Sequence, residues 1–337
     1  MTLARSLPTP VHEEDALRGA RLTVFVVNYN TADLLVPMMN RLARASSSSQ
    51  IVPVQTVIVD NASRDHSLNV ISILSPAVKL IANAQNVGFG RANNQCLPLM
   101  EGQYVLLLNT DAFVSDDTLV KTLDYMDSHP RCGVLGVRLV GHNGELQPSC
   151  RYFPTLLNTF LANSGIARLF PWVRAVDDMS WDHRSTRECD WVPGCYYLVR
   201  REVIDQVGLF DPRYFLYFEE VDHCRAVKAA GWSVVFFHDT EVVHIGGESA
   251  KSDAELTAGS RQISALQIES ELLYFRKHAG ALGCTAHLLL TSIAFLLMST
   301  KALLRPRLRQ SIGHALRHLS AMWCLAFQTR WGTRPTR

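Results

Sequence analysis

The first half of the chain alternates short, unbroken apolar runs with amphipathic stretches. The runs "LTVFVVNYN" (22–30), "TVIVD" (56–60), "VKLIANA" (78–84) and "YVLLLNTD" (104–111) each pass into a polar turn and then a helix-like segment. The continuous run at 22–30 suits a strand buried on both faces, and the other three read as further short strands. The stretch "ADLLVPMMNRLARA" (32–45) has helical spacing, with Pro37 expected in its first turns. Repetition of this kind predicts βαβ units, hence an α/β domain with a mainly parallel central sheet and right-handed crossovers.

Residues 142–193 break the rhythm. An irregular stretch that long in a compact domain is expected to be a functional lid or insert. Regularity resumes with a strand at "CYYLVR" (195–200), a helix at "REVIDQVG", a turn at "FDPRYF", an acidic-headed helix at "FEEVDHCRAVKAAG" and a strand pair across "SVVFFHDTEVVH". From Leu272 onward the chain is expected to be helical to its end.

Ligands of open α/β sheets sit beyond the carboxyl ends of the strands. Those ends are Asn28–Asn30, Asp60–Asn61, Asn86–Gly88 and Asn109–Asp111. Four polar strand ends gathered on one edge predict a ligand site there.

Composition narrows the class. The 337 residues are 47% hydrophobic and 19% charged with a net charge of +2, which fits one large domain or a domain with an appendage. The near-neutral total conceals an asymmetry. No Asp or Glu follows Glu271, whereas Arg276, Lys277, Lys301, Arg305, Arg307, Arg309, Arg317, Arg330, Arg334 and Arg337 do. The eight cysteines contain no C-x-x-C pair, which argues against a zinc site or a disulfide framework and fits a reducing cytosol. The stretch "MTLARSLPTPVHEEDALRGAR" lacks an apolar core and contains acids, so a disordered leader is expected over 1–20 rather than a signal peptide.

Several residues carry candidate chemistry. Asp60 can accept the imide N–H of a uracil or thymine, or a ribose hydroxyl; alternatively it belongs to a capping network in which Ser63 caps the next helix. In "NAQNVGFGRANNQ", Asn86, Gly88 and Gly90 allow close backbone approach to an anion and Arg91 can reach a phosphate, although glycines also serve ordinary turns. Asn109 and Asp111, two residues apart at a strand end, can hold a divalent metal, Mg²⁺ or Mn²⁺, against a diphosphate, or Asp111 can cap the following helix. Glu219, Glu220 and Asp222 suit a helix N-terminus. Packed among Phe215, Tyr217 and Phe218, such a carboxylate is desolvated and suited to act as a general base. His244, at a strand end before Gly246 and Gly247, is either structural or the completion of a metal site with Asp111.

In order, "VVNYN", "VIVDNAS", "NVGFGRANN", "LLLNTDAFV", the block from "WVPGCYYLVR" to "KAAGW" and "VVHIGGES" resemble glycosyltransferase family 2, a GT-A fold, and most of all its bacterial rhamnosyltransferase-like branch. The resemblance covers about residues 22–250. It implies inverting transfer of a sugar, plausibly rhamnose from dTDP-rhamnose, to a glycan or lipid-linked acceptor in cell-surface polysaccharide synthesis. The alternatives are a UDP-sugar donor on the same scaffold, or a silent nucleotide-sugar-binding subunit. It assigns the nucleobase to Asp60 with Asn28 and Tyr29, the metal to Asp111 and His244, and the catalytic base to Glu220, with Glu219 a second candidate. Asn109 stands where the family carries the first Asp of its D-x-D region, and contact with the sugar or ribose is expected of it. Trp191 is either a stacking platform for the acceptor or a core residue.

The resulting organisation is a catalytic domain over 21–255 and a basic C-terminal helical region over 256–337. Within the former, 22–115 forms the donor-nucleotide half and 142–250 the acceptor half. In the tail, Ile312, Leu316, Leu319, Trp323 and Phe327 share one helical stripe. That pattern suits an anionic membrane surface, or else packing on the catalytic domain or a second copy. Nucleic acid is not expected, because no recognition motif accompanies the charge. The expected location is cytoplasmic, peripheral to the inner face of the plasma membrane.

Overall fold

A computed structural model describes residues 21–48, 54–74, 78–246, 261–304 and 309–337. The leader, Gly247 and the 255/256 boundary lie outside these. Chain order is β1 (Leu22–Asn28), α1 (Ala32–Ser48), β2 (Val54–Asp60), α2 (Ser67–Leu74), β3 (Val78–Ala82), α3 (Phe89–Gln95), β4 (Tyr104–Leu108), β5 (Ala112–Val114), α4 (Thr118–Ser128) and β6 (Cys132–Val140). There follow β7 (Leu146–Gln147), α5 (Leu156–Ser164), β8 (Arg187–Glu188), β9 (Tyr196–Arg200), α6 (Arg201–Val207), α7 (Glu219–Ala229), β10 (Ser233–His244), α8 (Arg261–Leu304) and α9 (Arg309–Gln328).

Among the described residues the strands join one ten-stranded sheet in the order β3-β2-β1-β4-β9-β6-β10-β5, with β7 on β6 and β8 on β10. The β3-β2-β1-β4 half is parallel, as the apolar runs predict, and so is β6 with β10. The sheet is nevertheless mixed, because β9 runs antiparallel to both of its neighbours. A strand buried on both faces reads the same in either direction, so the pattern of "CYYLVR" could not reveal this.

Alternate residues of the central strands feed two cores on opposite faces. Leu22, Val24 and Val26 of β1 pack with Leu35, Met38 and Leu42 of α1 and Leu119 and Leu123 of α4. Phe25, from the same strand, joins Ala92 of α3, Val203 of α6, Val221 of α7 and Tyr274 of α8 on the other side.

Two local expectations change. The 142–193 insert contains a helix, α5, started by a reciprocal capping box between Thr155 and Asn158 and ended at Gly165 with φ 65°. The strand pair over 233–244 is one strand, β10, with a register shift between Phe237 and Glu241. Beyond that bulge β10 runs antiparallel to β5, setting His244 opposite Ala112.

The C-terminal helices pack on the rest of the chain. Leu273, Tyr274 and Phe275 enter the second core. Gly280, with φ 68°, breaks the helical path of α8. Beyond it Cys284 and Leu288 pack with Met322 and Ala326 of α9. The stripe expected on α9 straddles this seam: Leu319 and Trp323 pack against the cluster, while Leu316 and Phe327 are exposed. The side chain of Ile312 lies outside the described residues.

Candidate active site

The polar strand ends do meet on one edge. Asp60 is buried, and its Oδ1 accepts Asn28 Nδ2 at 2.8 Å while Oδ2 accepts Ser63 N–H at 3.1 Å. A carboxylate has about four acceptor positions, so capacity remains for a ligand. Ser63 does not cap α2, which starts at Ser67. Its Oγ instead accepts from Asn28 Nδ2 and Asn30 N–H, both at 3.0 Å, and Asp65 accepts the Ser67 N–H at 3.0 Å. From Asn28 a buried relay continues: Thr31 Oγ1 donates to Asn28 Oδ1 at 2.8 Å and meets Thr110 Oγ1 at 2.9 Å. Asp60 is thereby wired to the residue preceding Asp111. Tyr29, between Asn28 and Asn30 in sequence, is half-buried.

The glycine-rich turn has a structural task. Asn86 Oδ1 accepts from Asn61 Nδ2 at 2.8 Å and from Gly88 N–H at 2.9 Å. Gly88 has φ 90°, and a Cβ there would lie 2.4 Å from the Phe215 carbonyl oxygen, which accepts Phe89 N–H at 2.9 Å. Only glycine permits that approach, and it docks the loop leading to Glu219. Arg91 is held by backbone carbonyls in this structure. Its Nε donates to Pro212 O at 2.7 Å and its guanidinium to Arg337 O at 2.9 Å, so both contacts are spent on backbone.

Asp111 and His244 come together because β5, starting at Ala112, pairs with the end of β10. His244 Nε2 lies 3.6 Å from Asp111 Oδ1, too far for a hydrogen bond. Asp111 Oδ2 accepts Gly246 N–H at 3.1 Å. Gln147 Nε2 donates to His244 O at 2.8 Å, so Gln147 Oε1, 2.9 Å from His244 Nδ1, faces it as an acceptor. That assigns the proton to Nδ1 and leaves the Nε2 lone pair toward Asp111. Burial, opposed by the Asp111 charge, lowers the His244 pKa and favours the neutral ring. Among the described residues no three His, Cys, Asp or Glu side chains gather as a metal cage. One carboxylate and one neutral imidazole fit an ion that takes its other ligands from a diphosphate and water. Asn109, half-buried, is anchored through its N–H to Cys195 O at 3.0 Å.

Cys195 accepts Asn109 N–H through its carbonyl, and the preceding Gly194 lies against Glu220, where an added Cβ would sit 4.0 Å from Oε1. Burial, then the Asp111 charge and also that of Glu220, push the Cys195 thiol pKa up, so it lies within the field of both acids. Glu219 and Glu220 open α7 after Tyr217 and Phe218, at φ 71° and 69°. Two successive left-handed aromatic residues store roughly 1–3 kcal/mol each, strain of the kind found at functional sites. Burial, then the Glu220 charge, holds the Glu219 carboxyl well above the usual range. Burial raises Glu220 too, opposed by its own and the Gly194 N–H groups and by the Arg151 charge. Glu219 is almost fully buried, Glu220 partly open, and each has an Oε2 with no hydrogen-bond partner.

Trp191 is a core residue. Its Nε1 donates to Tyr152 O at 2.9 Å and the Arg151 guanidinium covers its ring at 4.0 Å, so it offers no face to an acceptor. Sequence reasoning missed Arg151, whose charge bears on Glu220, Gln147, which orients His244, and Thr31 and Thr110, which link Asn28 to the turn before Asp111; none of these contacts has a local signature.

Residues 23–178 match the family model for glycosyl transferase family 2. The chain is 29% identical over 246 residues to the N-acetylglucosaminyl-diphospho-decaprenol L-rhamnosyltransferase of Mycobacterium tuberculosis, covering 69% of this chain and 78% of that one. It is 26% identical over 179 residues to the Escherichia coli rhamnosyltransferase WbbL, covering 50% and 65%. Among solved structures, a mannosyltransferase from Pyrobaculum calidifontis, in complex with GDP-Man and Mn²⁺, shares the fold with a TM-score of 0.57 at 17% identity, over 96% of this chain and 91% of that one. Residues 23–178 are thus a glycosyl transferase family 2 domain, and the chain is a glycosyltransferase with the GT-A fold that resembles bacterial rhamnosyltransferases.

Proposed function

We propose that the chain transfers a sugar, with inversion, from a nucleotide diphosphate donor to a lipid-linked or glycan acceptor at the cytoplasmic face of the membrane, and that the donor is dTDP-rhamnose. The observation carrying this reading is geometric: the Cys195 carbonyl accepts Asn109 N–H at 3.0 Å, two residues before Asp111 in its pair with His244, and the adjacent Gly194 lies against Glu220, where an added Cβ would sit 4.0 Å from Oε1. This arrangement supports a general base close to a diphosphate site. The rhamnosyl donor is supported by the names of the two similar rhamnosyltransferases, and the lipid-linked acceptor by the diphospho-decaprenol in the mycobacterial name.

In the proposed reaction the ionised Glu220 takes the proton from an acceptor hydroxyl as that oxygen forms its bond to the anomeric carbon. The bond from that carbon to the diphosphate oxygen breaks, its electron pair leaves with the nucleotide, and the configuration inverts. Glu219, the more strongly raised of the two acids, stays protonated and lets Glu220 ionise without a second charge beside it. Asp60, fixed by Asn28 and Ser63, accepts the base imide N–H, and Asn109 faces the sugar or ribose. Asp111 and His244 would hold a Mg²⁺ or Mn²⁺ ion, which when bound neutralises charge on the leaving diphosphate. Thymine and uracil both present an imide N–H, so Asp60 does not select dTDP over UDP, and a UDP-sugar is the second reading.

Thermal shifts with dTDP-rhamnose, UDP-GlcNAc and GDP-mannose, each with and without Mn²⁺, test the donor. The expected result is a Mn²⁺-dependent rise for dTDP-rhamnose that Asp111→Ala abolishes; a ligand at a hundred times its Kd stabilises by about 2.7 kcal/mol. A rise for UDP-GlcNAc alone replaces the donor, and no rise with any donor on folded protein contradicts the site.

A further inference from the structure

Beyond Gly280, α8 turns one apolar stripe away from the protein. Leu282, Leu289, Ile293, Leu296 and Leu297 are exposed, Leu282 to 87%. At 3.6 residues per turn these five fall within an arc of about 100° over ~23 Å of helix. The opposite side is occupied: Cys284 and Leu288 pack against α9, and Trp323 of α9 donates to Ser292 Oγ at 3.1 Å. At the far end Met298 packs on Gly165, and Lys301 Nζ donates to Ser164 O at 3.0 Å. The residues following α5 therefore emerge beside the end of the stripe. They bring Leu169 and Trp172, the latter 74% exposed, together with the exposed Arg168.

We propose that this face, formed by the outer stripe of α8 with Leu169 and Trp172, lies in the headgroup region of an anionic lipid bilayer, along the surface rather than across it. Charge complementarity selects the partner. Residues 272–337 contain ten Arg and Lys and no Asp or Glu, and Lys301, Arg305, Arg307 and Arg309 follow the stripe directly in sequence. A second copy would bring the same cationic region against itself, which Coulomb repulsion opposes. Between Ala265 and Lys301, α8 is long enough to cross a membrane and contains an 18-residue stretch of mean hydropathy 1.9. Its inner side, however, is committed to α5 and α9, and a spanning helix exposed to lipid is apolar all round, whereas an interfacial helix is apolar on one face. An exposed tryptophan beside cations suits the same depth. The proposal is independent of donor, acceptor and catalytic assignments.

Flotation of the full chain with vesicles tests it. Binding is expected to phosphatidylcholine vesicles containing phosphatidylglycerol, to weaken with salt, and to be far poorer with phosphatidylcholine alone. The double variant Leu289→Glu/Ile293→Glu should lose binding by more than about tenfold. Trp172→Ala, outside α8, should weaken binding without altering the thermal melt, which keeps the test open should the double variant misfold. Undiminished flotation of both variants overturns the proposal. So does an absence of vesicle binding with a wild-type dimer, measured by sedimentation velocity, that Leu289→Glu/Ile293→Glu dissociates, which assigns the face to a second copy. Resistance to carbonate extraction overturns the surface disposition.

Discussion

His278 Nε2, on α8, lies 2.6 Å from Oδ1 of the buried Asp222, three residues along α7 from Glu219. Lys277 Nζ occupies the other oxygen at 2.7 Å and bridges to Asp211 at the same distance. The C-terminal helices are thus pinned to the helix that carries the proposed base. Burial pushes the Asp222 carboxyl up, but its His278 and Lys277 hydrogen bonds and the charges of both outweigh this and hold it below the ordinary range.

Asp222→Ala is expected to destabilise the protein by about 3–5 kcal/mol, as removal of one partner from a buried ion pair does. A depressed folded pKa gives stability that is present above the unfolded value, about 3.9, and lost as pH falls through the folded one. Urea melts of wild type and variant should therefore differ most near neutrality and converge in acid. Equal midpoints at neutral pH would sink the pinning argument.

The paired glutamates separate by isosteric substitution. Glu220→Gln should lower kcat by roughly 10²–10⁴-fold, the usual worth of a general base. Glu219→Gln mimics the protonated form that the raised Glu219 pKa favours and should keep kcat within about tenfold. Its acid limb in kcat/KM should still follow Glu220, above the ordinary carboxylate range. The opposite ranking would reassign the base to Glu219.

Glu219 also sets a stability trend. Its folded pKa is raised, so its contribution is full below the unfolded value, about 4.3, and falls as pH rises toward the folded value. Glu219→Gln, which cannot ionise, should melt higher than wild type near neutrality, with the gap closing in acid. A variant less stable than wild type at neutral pH would contradict the raised, buried Glu219 carboxyl.

Gln147 fixes the tautomer and tilt of His244, a role whose loss typically costs ~10–100-fold in metal affinity. With Gln147→Leu, more Mn²⁺ should be needed for the donor-dependent thermal shift, while the shift at saturating Mn²⁺ is retained. An unchanged Mn²⁺ titration would remove His244 from the metal site.

Legibility in the sequence followed local physics. β1, β2 and β4 announce themselves because strands buried on both faces need unbroken apolar runs, and their polar ends meet where the parallel order puts them. The meeting of Asp111 with His244 was expected from the family pattern, yet its geometric cause, the bulged β10 returning along β5, has no local signal. Arg91 and Trp191 mark the limit. A guanidinium beside a glycine turn reads the same whether it faces phosphate or carbonyl, and an insert tryptophan the same whether bare or covered by Arg151. The α9 stripe left membrane contact and packing open because a helical wheel cannot tell a bundle seam from a lipid-facing side, and the broader exposed stripe lies on α8.

The most direct test is transfer itself: wild type and Glu220→Gln incubated with dTDP-rhamnose, Mn²⁺ and a polyprenyl-diphospho-N-acetylglucosamine acceptor, with product linkage read by NMR. A rhamnosylated product of inverted anomeric configuration from wild type, and its loss in Glu220→Gln at equal donor binding, is the predicted result. A product of retained configuration, or undiminished transfer by Glu220→Gln, would contradict the proposed displacement.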